Sequence, residues 1–108
     1  MTDLYTDTDL IEAIAPLTRN RLLHYVHLRI VQPLETDSGL RFREIDLRRV
    51  TLLCELSDDM ELNEDALVIV MNLLDQLHGS RARLSALMAA LTEEDPEVRN
   101  RIARVLLE

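Results

Sequence analysis

Apolar residues recur at helical spacing along most of this chain, interrupted over about 30–41 and again at 57–62. Residues 10–15 read as a short helix that Thr8 or Asp9 can cap and that Pro16 ends. Thr18 is a good N-cap for a second helix reaching about residue 28, in which Leu22 and Val26, four apart, share a buried face. Ile30, Val31 and Pro33 then leave the helix in extended form, because Pro33 biases Gln32 away from helical geometry. Within 34–41, the turn formers Asp37, Ser38 and Gly39 sit between short flanks, which predicts a hairpin. A third helix follows over about 44–56, with Glu44, Arg48, Thr51 and Glu55 as its polar stripe. The Glu44–Arg48 spacing is worth roughly 0.2–0.5 kcal/mol on an exposed helix.

Residues 57–62 break the pattern, and Asn63 can cap a fourth helix from Glu64 to at least Leu77. Its stretch ALVIVM is apolar all round, more than one domain core can cover, so a second surface should be buried elsewhere. Val70, Leu77, Leu84 and Leu91 recur every seven residues, with Leu73 and Leu87 between them, a seam suited to pairing with a second copy. The last helix, with Val98, Ile102, Val105 and Leu106 on its apolar side, competes to cover that seam. Gly79-Ser80 predicts a kink or a join, after which the helix runs on to Leu91. Asp95-Pro96-Glu97 opens the last helix, which reaches about residue 107: a cap, Pro at the first position, then an acid near the positive end. The fold class is therefore all-α with a small β-wing. Residues 1–62 form a first domain and 63–108 a helical extension and dimerisation region, together one compact unit.

With 108 residues and only Tyr5, Tyr25 and Phe42 as aromatics, the core has to be aliphatic, which suits helix packing. All 12 basic residues are Arg, against 20 acids, for a net charge of −8. That balance favours basic partners and opposes non-specific binding to nucleic acid. The single Cys54 excludes an intramolecular disulfide and a cysteine-cluster metal site, and its apolar neighbours assign it to core packing. The acidic N-terminus has no signal-peptide core and no apolar run could span a bilayer, so a soluble, cytoplasmic protein is expected. His24, His27 and His78 are too scattered for a metal site, and no phosphate-binding Gly loop or catalytic triad pattern is present. The expectation is a protein that is not an enzyme and carries no cofactor and no metal.

Val31 and Pro33 after the second helix, then Phe42, Asp46, Leu47 and Val50 after the hairpin, and a Leu-Asn-Glu turn opening the fourth helix, form an ordered set. In order, length and apolar pattern over nearly all of residues 4–91, the chain resembles the MerR-type winged helix-turn-helix. Within that superfamily it is most similar to the chaperone-modulator, CbpM-like branch. The resemblance implies a non-catalytic modulator that binds the J-domain of a DnaJ-like co-chaperone of the curved-DNA-binding type. Such binding restrains the co-chaperone's work with the DnaK-type chaperone and its own DNA binding. The chain departs from the DNA-binding members at Leu23 and His24, which stand where an Arg-Tyr-Tyr run meets phosphates and bases; of that run only the second Tyr is kept, as Tyr25. Arg29 replaces the usual Gly before the strand, and Pro16 stands where the modulator branch has a turn Gly.

The strongest charge feature fits a protein partner. Between Val50 and Ser80 lie Glu55, Asp58, Asp59, Glu61, Glu64, Asp65 and Asp75 and no Lys or Arg. Six of these seven fall within 55–65. An acidic turn would attract the basic second helix of a J-domain and raise its on-rate. Asp58, Asp59, Glu61, Glu64 and Asp65 are the candidate partner-binding residues, although Glu64 and Asp65 also suit a helix N-terminus for its dipole alone. Val70, Leu73, Leu77, Leu84, Leu87 and Leu91 are the candidate dimerisation residues. The alternative is a DNA-binding transcriptional regulator, which would use Arg19, Arg21, Arg41 and Arg43 on phosphates.

Overall fold

The computed structural model describes residues 3–108. Five helices and one two-stranded antiparallel sheet follow one another in the order α1 (Asp7–Ala13), α2 (Arg19–His27), β1 (Leu34–Thr36), β2 (Gly39–Arg41), α3 (Glu44–Asp58), α4 (Glu64–Thr92) and α5 (Pro96–Leu106). No described helix is long and apolar enough to cross a membrane. Two compact units are present, residues 1–72 and 73–108.

Helix α1 starts earlier than its sequence suggests. Thr6, not Thr8 or Asp9, is the cap: its hydroxyl accepts from the Asp9 amide at 3.1 Å, and the Asp9 carboxylate accepts from the Thr6 amide at 2.9 Å. Two amides at the helix start are thereby satisfied reciprocally. The helix also ends before Pro16 acts, because Ile14 is already extended and buried. In α2 the expected cap is in place, with the Thr18 hydroxyl accepting from the Arg21 amide. The buried pair on α2 is Leu22 and Tyr25, and Val26 is only half-buried.

Ile30 and Val31 are buried but form no strand. After α2 the chain closes in a Schellman turn, with the Arg29 amide donating to Val26 O and the Ile30 amide to Tyr25 O. This requires Arg29 to sit at φ 62°, the left-handed region that favours glycine. Arg29→Gly is therefore expected to stabilise the fold by about 1 kcal/mol, the left-handed penalty less the extra freedom of an unfolded glycine. Thermal or urea melts of the variant check it, and an unchanged or lower midpoint would show that the Arg29 side chain contributes more than its backbone costs.

The hairpin pairs Leu34 with Arg41, Glu35 with Leu40 and Thr36 with Gly39, leaving Asp37-Ser38 as a two-residue turn. One residue on, Phe42 bridges to Tyr5, each amide donating to the other's carbonyl at 2.7 Å. The Tyr5 hydroxyl donates to Glu44 at 3.0 Å, so the segment before α1 is fastened to the start of α3. There Asp46, a fully buried carboxylate, accepts from the Arg43 amide at 2.9 Å and from Arg43 Nε at 3.1 Å.

Among the described residues, every buried side chain lies between Leu10 and Met71. The core of the first unit runs through Leu10, Leu22, Val31, Phe42, Val50 and Leu53, and the first turns of α4 add Leu67 and Met71. Those two residues carry the first unit past the 62/63 boundary read from sequence. In the second unit no residue is buried. Helix α4 continues through Gly79 and Ser80 as α-helix, against the expected interruption. A methyl at Gly79 would meet only the end of the Arg83 side chain at 3.5 Å, so no close packing requires a glycine there. Helix α5 starts as expected at Asp95 and Pro96, although the Asp95 side chain makes no capping hydrogen bond.

Candidate functional site

The acids that stand together in sequence separate into engaged and open groups once the chain is folded. Asp58, in the last turn of α3, faces Arg21 of α2 in a two-pronged pair at 2.8 and 3.1 Å. The same guanidinium donates from Nε to the Tyr25 hydroxyl at 2.9 Å and from Nη1 to Pro16 O at 3.3 Å. Arg21 therefore ties α2 to α3 and to the α1–α2 turn, and Asp58 belongs to this clasp more than to an open surface. Glu64, in the first turn of α4, lies 3.0 Å from His24 Nε2. Asp59, Glu61 and Asp65 are exposed, and no ion pair involves them among the described residues. Glu61 has φ 54°, a left-handed backbone in the turn between α3 and α4.

Arg21 holds the Asp58 carboxyl below its ordinary 3.8, more than its slight desolvation raises it. A depressed folded value means that the clasp stabilises the fold above about pH 4 and that this contribution is lost as pH falls through the depressed value. For Arg21→Met we expect a stability deficit that is constant from neutral pH down to about pH 5 and narrows below pH 4. Urea midpoints collected across that range check it; a deficit that does not change with pH would place the value of Arg21 in Tyr25 and Pro16 alone.

The arginines that would meet phosphates are mostly occupied. Arg19 pairs with Asp7, Arg21 with Asp58 and Arg43 with Asp46. Arg43 also donates to Gln32 O at 3.1 Å, and Arg49 holds Ile30 O through two nitrogens at 2.9 and 2.7 Å. Arg48 lies 3.9 Å from Glu44, the pairing expected from their spacing. Arg41 donates to the carbonyl of its neighbour Leu40. Sequence reasoning grouped these residues by proximity along the chain. It missed that most face carboxylates or carbonyls from other elements, and no local signal carries that information.

Cys54 is buried, as its neighbours predicted, and burial pushes its thiol above the usual value, which disfavours the reactive thiolate. Among the described residues, no three His, Cys, Asp or Glu side chains converge where a metal ion could be held.

The candidate dimerisation residues are displayed on α4. Leu73, Leu77, Leu84 and Leu87 are 58, 43, 57 and 49 % exposed, while Val70 and Leu91 are half-buried. Within the second unit α5 leaves these leucines open, and its own Val105 and Leu106 are exposed too. The second surface that an all-round apolar helix should bury is therefore uncovered in the single chain. No protein-family model, no curated protein and no solved structure matches this chain.

Proposed function

We propose that the chain is a non-catalytic modulator that binds the J-domain of a DnaJ-like co-chaperone and restrains its work with a DnaK-type chaperone in the cytoplasm. The helix, helix, hairpin, helix order of residues 7–58 supports reading this part as a winged helix-turn-helix, with the 34–41 hairpin as its wing. The observation that carries the functional reading is the engagement of Arg19, Arg21, Arg43 and Arg49 by groups of the same chain. Arg19, Arg21 and Arg43 each face a carboxylate that already answers part of their charge, and Arg49 is turned to a backbone carbonyl, so their orientation favours the fold over a phosphate. The first unit as a whole is strongly negative: residues 1–72 hold 14 acids and 7 Arg, a net of −7. A basic protein surface is attracted to such a potential, and a DNA backbone is repelled.

The exposed leucines of α4 support a homodimer, and the second unit does not oppose it by charge, since residues 73–108 hold 6 acids and 5 Arg. Scattering-coupled gel filtration should report a dimer, and Leu77→Glu with Leu84→Glu should report a monomer.

Calorimetry with a purified J-domain tests the functional reading, alongside the J-domain-stimulated ATPase of the DnaK-type chaperone. Binding together with a reduced ATPase supports it. Failure of the J-domain to bind removes it, and a gel shift with duplex DNA at lower concentration than the J-domain requires replaces it with a DNA-binding regulator.

A further inference from the structure

Two clefts flank α1 in the first unit. One, of about 290 Å³, has Ala13 and Pro16 on one wall and Thr51 and Cys54 on the other, with Glu55 and Asp59 on its rim. The other, of about 580 Å³, is floored by Leu4, Leu10 and Leu47 and edged by Asp3 and Glu12. Ala13 borders both. The α3 residues involved, Leu47, Thr51, Cys54 and Asp58, recur at three- and four-residue steps on one face of that helix. They mark out about 16 Å of its length at ~1.5 Å per residue.

The charge on this strip is one-sided. Helix α3 ends in Glu55, Asp58 and Asp59 with no basic residue in its last turn, which sets carboxylates at the negative end of the helix dipole. Arg21 answers Asp58, while Glu55 and Asp59 are exposed and make no ion pair among the described residues. At the other cleft Asp9 is occupied in capping α1, and Glu12 is exposed. An apolar floor between acidic rims fits a side chain that is aliphatic along its stem and cationic at its tip.

We infer that this strip beside α1 is the docking groove, and that its occupant is an amphipathic helix of about three turns with apolar anchors flanked by Arg or Lys. The anchors seat against the apolar lining at Ala13, Leu47 and Cys54. The cations meet Glu55 and Asp59 at one end and Asp3 and Glu12 at the other, and so also neutralise the end of α3. The same carboxylates repel a nucleic acid, and a second copy of a unit with net charge −7 repels itself. The inference rests on the proposed J-domain reading only for the identity of the protein that supplies the helix.

The test is amide NMR of the full chain in dilute buffer with two probes added separately: a purified J-domain, and an amphipathic Leu/Arg peptide of about 12 residues with its Leu/Glu counterpart as control. With both basic probes, resonances of Ala13, Ala15, Thr51, Glu55 and Asp59 should shift, and the acidic peptide should move none of them. Ala13→Trp, which fills the groove from an exposed position, and the pair Glu55→Gln with Asp59→Asn should each weaken both interactions by about tenfold or more, while Glu35→Gln on the hairpin stays within about twofold. The spectra themselves show whether each variant is folded. A J-domain that binds equally well to the groove variants overturns the groove and leaves the modulator reading standing. A peptide that docks here while the J-domain does not bind keeps the groove and removes the modulator reading. Shifts confined to other surfaces, or none with either basic probe, overturn the inference.

Discussion

Phe42→Ala is expected to destabilise the fold by about 4 kcal/mol, within the usual range for removing a fully buried phenylalanine. In a chain of this size that corresponds to a fall in melting temperature on the order of 20 °C. Phe42 is the only Phe of the chain and is completely buried. It lies where β2 passes into α3, and its backbone is bridged to Tyr5. Phe42→Leu, which keeps most of the volume, should lose well under half as much. Urea or thermal melts of the two variants check the order, and equal losses would show that the site collapses around either side chain.

Asp46→Ala is expected to destabilise by about 2–3 kcal/mol, because it orphans a backbone donor and removes a charged partner together. Asp46 is fully buried at the third position of α3. Its carboxylate accepts from the amide and guanidinium of Arg43, and that guanidinium also holds Gln32 O. Without the carboxylate the Arg43 amide is left unpaired, and the positive end of α3 loses its buried anion. Asp46→Asn keeps an acceptor for the amide and should lose about half as much. Amide exchange should quicken first at the start of α3 and in the hairpin. Uniform quickening across the first unit would mean instead that Asp46 matters to the fold only globally.

The elements that could be read from sequence are those with a local cause. Thr18, the Asp37-Ser38 turn and Asn63 each act within a few residues of the feature they produce, and Asp95-Pro96 marks the start of α5 by position, without a side-chain cap bond. The start of α1 was missed because four cap-competent residues, Thr6 to Asp9, stand side by side, and the reciprocal Thr6–Asp9 bonds decide among them. The turn after α2 was missed because Arg29 occupies a left-handed position that glycine would have announced. Gly79 misled in the opposite direction: glycine inside a helix costs about 1 kcal/mol, and good helix formers on both sides outweigh it. At the candidate site the excess of acid was legible. Which acids remain open was not, since Arg21 and Asp58 are 37 residues apart and Tyr5 bridges to a residue on the far side of the hairpin.

The unanswered carboxylates at the end of α3 give the free and the bound chain opposite responses to ionic strength. Added salt screens Glu55 and Asp59 from each other and from the helix carbonyls, so the isolated protein should grow firmer. The same screening weakens the attraction that would bring a basic helix to them. A chain that tightens in salt while releasing its partner would be storing part of its affinity as repulsion within the unbound fold.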